Sequence, residues 1–244
     1  MDNIIFIQAR MNSTRLPGKI LKKISGKTIL EIILERLENI MDVQQVLVTG
    51  PSEKNQELID ESNRLDLDFF CGSEENLLDR YYQACCVFNA ENIIRLTGDN
   101  PLVDSELIID GMNTFSQKKC DVLSSENDLF PLGMNFDIMK TDTIKESWNV
   151  ARGEFSSTET FEKTFISPVK YIVDANKFKI QNYSVGNIDP RLRLTVDYEE
   201  DFILVKNIYE NLYHKNNQFT LDDIKNFLEE NPDIKKINHK WCKN

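Results

Sequence analysis

The sequence predicts an α/β fold in which helices flank a mostly parallel sheet, and three observations lead there. Short apolar runs alternate with segments of helical period from the start of the chain. The first run, Ile4-Ile5-Phe6-Ile7, is apolar throughout, as a buried strand is. The 244 residues, 41% of them hydrophobic, suffice for one full core.

In order, residues 4–7 read as a strand and 28–41 as a helix with its apolar residues on one stripe. The cycle repeats with strands over 45–49, 67–70 and 92–96, each followed by a helix, over 54–64, 75–88 and 105–115. Residues 121–125 suggest another strand. From 126 to 177 the period loosens around turn-prone Pro131-Leu132-Gly133 and Arg152-Gly153, and this stretch is expected to be an inserted arm within a single domain spanning 1–244. A strand over 192–196 and helices over 199–213 and 221–229 complete the pattern, the last capped by Thr220.

Charge limits the partners. Lysine and arginine number 29 against 40 aspartates and glutamates, and a net charge of -11 opposes nucleic acid or an acidic membrane surface. A single nucleotide is not excluded, because a few cations gathered in one cleft bind it whatever the overall charge. The five cysteines lack paired CxxC spacing, so neither a disulfide framework nor a zinc site is indicated. No run reaches the ~18 apolar residues of a membrane span. The expectation is a soluble protein of the reducing cytoplasm.

On these sheets ligands bind beyond the carboxyl ends of the strands. Directly after the first strand come Gln8 and Ala9, then Arg10, Arg15 and Lys19 with Ser13, Thr14 and Gly18 between them. Guanidinium groups bind phosphate oxygens in pairs, an ammonium adds a mobile charge, and small residues let backbone amides approach an anion. Charge alone leaves a solvated surface loop equally open, but the position at the strand's carboxyl end favours phosphate.

Three further segments fall at the same edge. Gly72 permits a sharp turn, Ser73 is a candidate N-cap, and Asn76 and Arg80 share a helix face that could meet a nucleobase, although spacing alone also suits solvated helix charges. Asp99, freed by Gly98 just past a strand, is the first choice of Mg²⁺ ligand, with a turn role as the alternative; Asp104 reads as a helix-start residue. Asp197 again ends a predicted strand, and two such carboxylates on one edge could share a metal. Glu200 and Asp201 read as first-turn acids favoured by the helix dipole. His214 and His239 lie outside these motifs and read as exposed.

The run Ile7-Gln8-Ala9-Arg10-Met11-Asn12-Ser13-Thr14-Arg15-Leu16-Pro17-Gly18-Lys19 resembles the opening motif of the cytidylyltransferases that make CMP-activated acidic sugars, and is most similar to their spore-coat polysaccharide branch. The run from Gly72 to Tyr81 resembles the second motif of that family, and the segments around Asp99 and Asp197 match two more. The resemblance implies a Rossmann-like nucleotidyltransferase fold, CTP as substrate, pyrophosphate release and a homodimer. It implies that Arg10, Arg15 and Lys19 hold the triphosphate, that Gln8, Ala9, Ser13, Gly72, Ser73, Asn76 and Arg80 contact the nucleotide, and that Asp99 and Asp197 hold the catalytic Mg²⁺.

The match weakens in the arm. Related spore-coat sequences carry Glu-His-Val-Thr-Pro where this chain has Thr164-Phe165-Ile166-Ser167-Pro168, which leaves the acceptor open between an acidic sugar and another hydroxyl compound. Asn135 and Asp137 are the candidate acceptor contacts, with turn or strand-edge roles equally open. The aromatic residues Phe155, Phe161 and Phe165 are expected to be exposed and to serve the dimer. A nucleotidyltransferase for another nucleotide is the alternative activity, and a noncatalytic nucleotide-binding protein the remoter one.

Overall fold

The computed structural model describes residues 2–125, 130–186 and 189–242. The chain begins with β1 (Asn3–Gln8), then the hairpin of β2 (Lys23–Ile24) and β3 (Lys27–Thr28), which leads into α1 (Ile29–Arg36). It continues through β4 (Gln44–Thr49), α2 (Ser52–Arg64), β5 (Asp68–Cys71), α3 (Leu77–Phe88), β6 (Asn92–Thr97), α4 (Ser105–Lys118) and β7 (Val122–Ser124). Next come β8 (Asp137–Lys140), α5 (Thr141–Gly153), α6 (Thr158–Lys163), α7 (Pro168–Asp174) and β9 (Ile180–Asn182), then α8 (Glu199–Leu212), α9 (Leu221–Glu230) and α10 (Pro232–Lys235).

The main sheet has the order β5-β4-β1-β6-β8-β7-β9. Its neighbours pair in parallel except where β8 runs antiparallel to β6 and to β7. Ile4 to Ile7 of β1 are wholly buried, because strand alternation sends Ile5 and Ile7 into one core and Ile4 and Phe6 into the other. The first core takes side chains of α1, α4, α8 and α9, the second those of α3, α5 and α7. Among the described residues no helix is long and apolar enough to cross a membrane.

β4 lies on one side of β1 and β6 on the other. The chain reverses its direction of travel across the sheet between them, which opens a crevice beyond the carboxyl ends of β1 and β6.

Several local expectations are corrected. The helix predicted over 28–41 is α1 alone, capped by Thr28, because Leu37, Glu38 and Ile40 donate to carbonyls three residues back and the chain tightens into turns. α3 is capped by Asn76, not Ser73. Residues 192–196 form no strand: Arg193 makes an isolated bridge to Leu132. The amides of Leu194 and Val196 go instead to the carbonyls of Leu132 and Asp99, both at 2.7 Å. This strap keeps a strand's alternation, with Leu192, Leu194 and Val196 in the core, but it lies on loops rather than beside a strand.

Regular structure occupies most of the stretch expected as an arm. Residues 126–129 lie outside the described residues; the remainder holds β8, a strand in the interior of the sheet, and α5, α6 and α7. Phe161 is a core residue, 1% exposed, and not a surface aromatic.

Gly133 secures the strap. Its φ is 107°, and a Cβ there would stand 2.2 Å from the Thr195 amide nitrogen and 2.3 Å from the Leu194 carbonyl carbon. Backbone cannot yield as a flexible side chain does, so Gly133→Ala is expected to destabilise the protein by about 1–3 kcal/mol. A lower urea midpoint at unchanged slope would show it; an unchanged midpoint would mean that the strap is not pressed against this turn.

Candidate active site

Two loops meet at the crevice. The Gly98 amide donates to the Gln8 carbonyl at 2.8 Å, and a Cβ on Gly98 would stand 2.8 Å from that of Ala9. Glycine alone allows so close an approach. The loop after β1 folds round the Met11 carbonyl, which accepts the amides of Ser13 at 2.9 Å and Gly18 at 3.0 Å. Gly18, with φ at 66°, turns the chain into a short 3-10 turn, Lys19–Leu21.

Lys19 then reaches both predicted aspartates. Its Nζ lies 2.8 Å from Asp99 Oδ2 and 2.9 Å from Asp197 Oδ1. Arg15 Nη2 lies 2.8 Å from the same Asp197 oxygen, and Arg10 Nη1 is 3.3 Å from Glu74 Oε1. Each of the three loop cations therefore rests on an acid of the cleft.

The strap, rather than a strand end, places Asp197. Thr195 Oγ1 and the Val196 amide donate to the Asp99 carbonyl at 3.2 and 2.7 Å, which ties the two aspartate-bearing segments together. Behind them Asp201, a first-turn acid of α8 as expected, is wholly buried. It accepts from Arg193 Nε and Nη2, both at 2.9 Å, and from the amides of Asp197 and Tyr198, both at 3.0 Å. Arg193 Nη2 also donates to Asp197 Oδ2 at 3.0 Å. One oxygen of Asp197 thus faces Arg193 and the other faces Lys19 and Arg15. Burial opposes ionisation of Asp197, but the hydrogen bond from Lys19, the nearby Arg15 and the bond from Arg193 together hold its pKa below the ordinary 3.8.

On the opposite wall Arg80 is 1% exposed. Its Nε and Nη2 donate to the carbonyls of Ser73 and Glu74 at 2.7 and 2.9 Å, which closes that turn; burial lowers its pKa. Arg95, from β6, donates through Nη1 to Asp137 Oδ2 at 2.7 Å. The cavity between these walls has a volume of about 360 Å³, within the range of small-molecule sites.

A family model described as cytidylyltransferase matches residues 4–219. The chain belongs to the cytidylyltransferase family. It is 32% identical to an uncharacterized protein of Methanocaldococcus jannaschii over 98% of this chain and 95% of that one. It is 29% identical to the spore coat polysaccharide biosynthesis protein SpsF of Bacillus subtilis over 96% and 97%. A solved cytidylyltransferase from Leptospira borgpetersenii superposes with a TM-score of 0.80 at 28% identity, covering 96% of each chain.

The cavity is lined by Gln8, Ala9, Arg10, Ser13, Arg15, Lys19, Arg80, Asp99 and Asp197, so the fold brings together most of the residues the sequence singled out. Five others stand behind the surface. Gly72 makes room for Arg80, whose Cγ a Cβ there would meet at 2.9 Å. Ser73 accepts the Asn76 amide and donates to the Glu162 carbonyl. Asn76 is wholly buried, caps α3 and donates to the Phe161 carbonyl. Asn135 bridges the Gly133 amide and the Ser125 carbonyl. Asp137 is wholly buried and engages Arg95 and Ser124.

The lining also includes Glu74, Arg95, Thr97, Phe165 and Ser167. Arg95 left a signal, a cation inside an otherwise apolar strand, and Glu74 lies within the second motif. Phe165 and Ser167 lie in the 164–168 segment, whose departure from related spore-coat sequences bears on the acceptor, and tertiary folding carries that segment to the cleft. His214 and His239 are exposed and line no part of it.

The pKa of Asp197 is depressed on folding, so its ion pairs contribute stability in full above pH 3.8 and lose it as the pH falls through the lower folded value. Asp197→Asn should flatten unfolding free energy against pH in that acid window. Identical slopes for the two proteins between pH 2 and 5, measured by urea unfolding, would rule the linkage out.

Proposed function

We propose that the protein transfers CMP from CTP to an acceptor hydroxyl and releases pyrophosphate. The observation that carries this reading is Lys19 Nζ resting between Asp99 and Asp197 at the end of a cation-bearing loop. A triphosphate brings anionic oxygens to Arg10, Arg15 and Lys19, which then leave the carboxylates they rest on. The freed carboxylates converge on one point, and two hard oxygen donors beside phosphate oxygens make a set that suits Mg²⁺. Asp99 and Asp197 would hold that ion, which when bound supplies charge neutralisation at the phosphates.

The residues of the chain position the reaction. Arg10, Arg15 and Lys19 balance the charge that builds on pyrophosphate as the bond between the α- and β-phosphates breaks. The acceptor oxygen takes its place on the α-phosphate. No histidine lines the cleft, so the acceptor proton goes to a carboxylate or to solvent. The turn closed by Arg80 carries the second motif and places Glu74 and Leu77 on the wall assigned to the cytosine base.

An acidic sugar destined for a cell-surface polysaccharide is the acceptor this reading favours, in line with the naming of SpsF. Asn135 and Asp137 do not line the cleft, although Asp137 holds the lining residue Arg95, and Phe165, 66% exposed, and Ser167 line the side left for the acceptor. A homodimer belongs to the same reading, and sedimentation of the purified chain tests it.

Melting with CTP, UTP, ATP and GTP, each with Mg²⁺, separates this activity from the use of another nucleotide. CTP at about a hundred times its Kd should add about 2.7 kcal/mol, and the others little. Pyrophosphate release should fall at least about 10²-fold in the Asp99→Ala, Asp197→Ala double variant. Retained turnover there would sink the assignment of the two aspartates.

A further inference from the structure

The strap is gripped from behind by a segment that follows residues 4–219, the stretch matched by the family model. Asn238 is 1% exposed. Its side-chain nitrogen donates to the Arg193 carbonyl at 2.9 Å and to Asp201 Oδ1 at 2.8 Å. Trp241, in the 3-10 turn His239–Trp241, lies flat on the Tyr198 ring with centroids 3.6 Å apart and planes 1° apart. Its Nε1 donates to Glu200 Oε2 at 3.0 Å.

These contacts act on one carboxylate. Asn238 holds the backbone of Arg193 while Asp201, which Asn238 also holds, grips the guanidinium. Arg193 fixed at both ends fixes Asp197 Oδ2, and this presents Oδ1 to the cleft. Trp241 fixes the ring of the next residue, Tyr198, over which the Arg15 guanidinium sits 5.3 Å from the centroid. A buried polar chain of this kind is costly when incomplete, and it sets geometry when every member is satisfied.

We propose that Asn238 and Trp241 are positioning residues that set the orientation of Asp197 toward a divalent cation, an inference that rests on Asp99 and Asp197 being the metal pair. Groups that orient a metal ligand from behind typically govern affinity by about 10–100-fold.

The test is binding of Mn²⁺, in place of Mg²⁺, to the full chain with CTP, read in electron paramagnetic resonance as loss of the free Mn²⁺ signal beyond the loss that the same CTP causes without protein. Asn238→Ala should raise the Mn²⁺ Kd about tenfold while CTP affinity without metal stays at the wild-type value. Trp241→Ala should also weaken Mn²⁺, and it carries the test if Asn238→Ala does not fold. Trp241→Phe keeps the stack and should restore wild-type affinity. Ile144→Ala, in α5 and buried in the core on the other side of the sheet, serves as the control that loses stability without changing Mn²⁺ binding. Wild-type Mn²⁺ affinity in Asn238→Ala, or in Trp241→Ala where that variant carries the test, overturns the proposal, as does an equal loss in Ile144→Ala. If the wild-type protein with CTP holds no Mn²⁺, the metal reading itself fails and this inference goes with it.

Discussion

The site depends on one ammonium between two carboxylates. Asp99 and Asp197 come from distant parts of an acidic chain, and without Lys19 their mutual repulsion would oppose the closure of the strap over the β6 loop. Not all the cleft pairs are equal. Exposed ion pairs contribute about 0–1 kcal/mol, whereas removing one partner from a buried pair costs about 3–5 kcal/mol. Arg10 is 45% exposed and its pair with Glu74 belongs to the first kind; Lys19 and Asp197, 12% and 9% exposed, belong to the second. Arg10 and Arg15, 45% and 50% exposed, thus leave their acids more easily than Lys19, which leaves only when something of comparable charge replaces it.

What could be read from the sequence was local. Ile4 to Ile7 identified the central strand because a strand buried on both faces needs no polar side. Thr220 and Asp104 identified helix starts because a cap bonds within its own few residues, and both cap as expected. The cation loop and Asp99 were legible because they directly follow strands whose carboxyl ends must open over the sheet. Errors arose where a distant partner decides. Leu192 to Val196 alternates as a strand does, yet its hydrogen bonds go to loops. Asp201 is the first-turn acid its spacing predicts, but its burial depends on Arg193 and Asn238. Ser73 and Asn76 both have capping side chains, and the packing of the turn against α6 decides between them. Phe165 was expected as an exposed aromatic and is exposed, but nothing within its own segment specifies that it lines the cleft.

The antiparallel strand of the main sheet, β8, has a consequence for how that sheet is assembled. In space β8 separates β6 from β7, but in the chain it follows both. During synthesis β6 and β7 leave the ribosome before the strand that must lie between them. Until residue 140 is made, the free backbone edge of β6 has no partner of its own, and β7 has nothing to join. An uncovered edge of this kind invites pairing with another chain. The parallel half of the sheet, with the cation loop on it, is thus complete in sequence well before its flank is protected. Between residues 97 and 137 a nascent chain therefore carries an unpaired edge of the kind that favours aggregation.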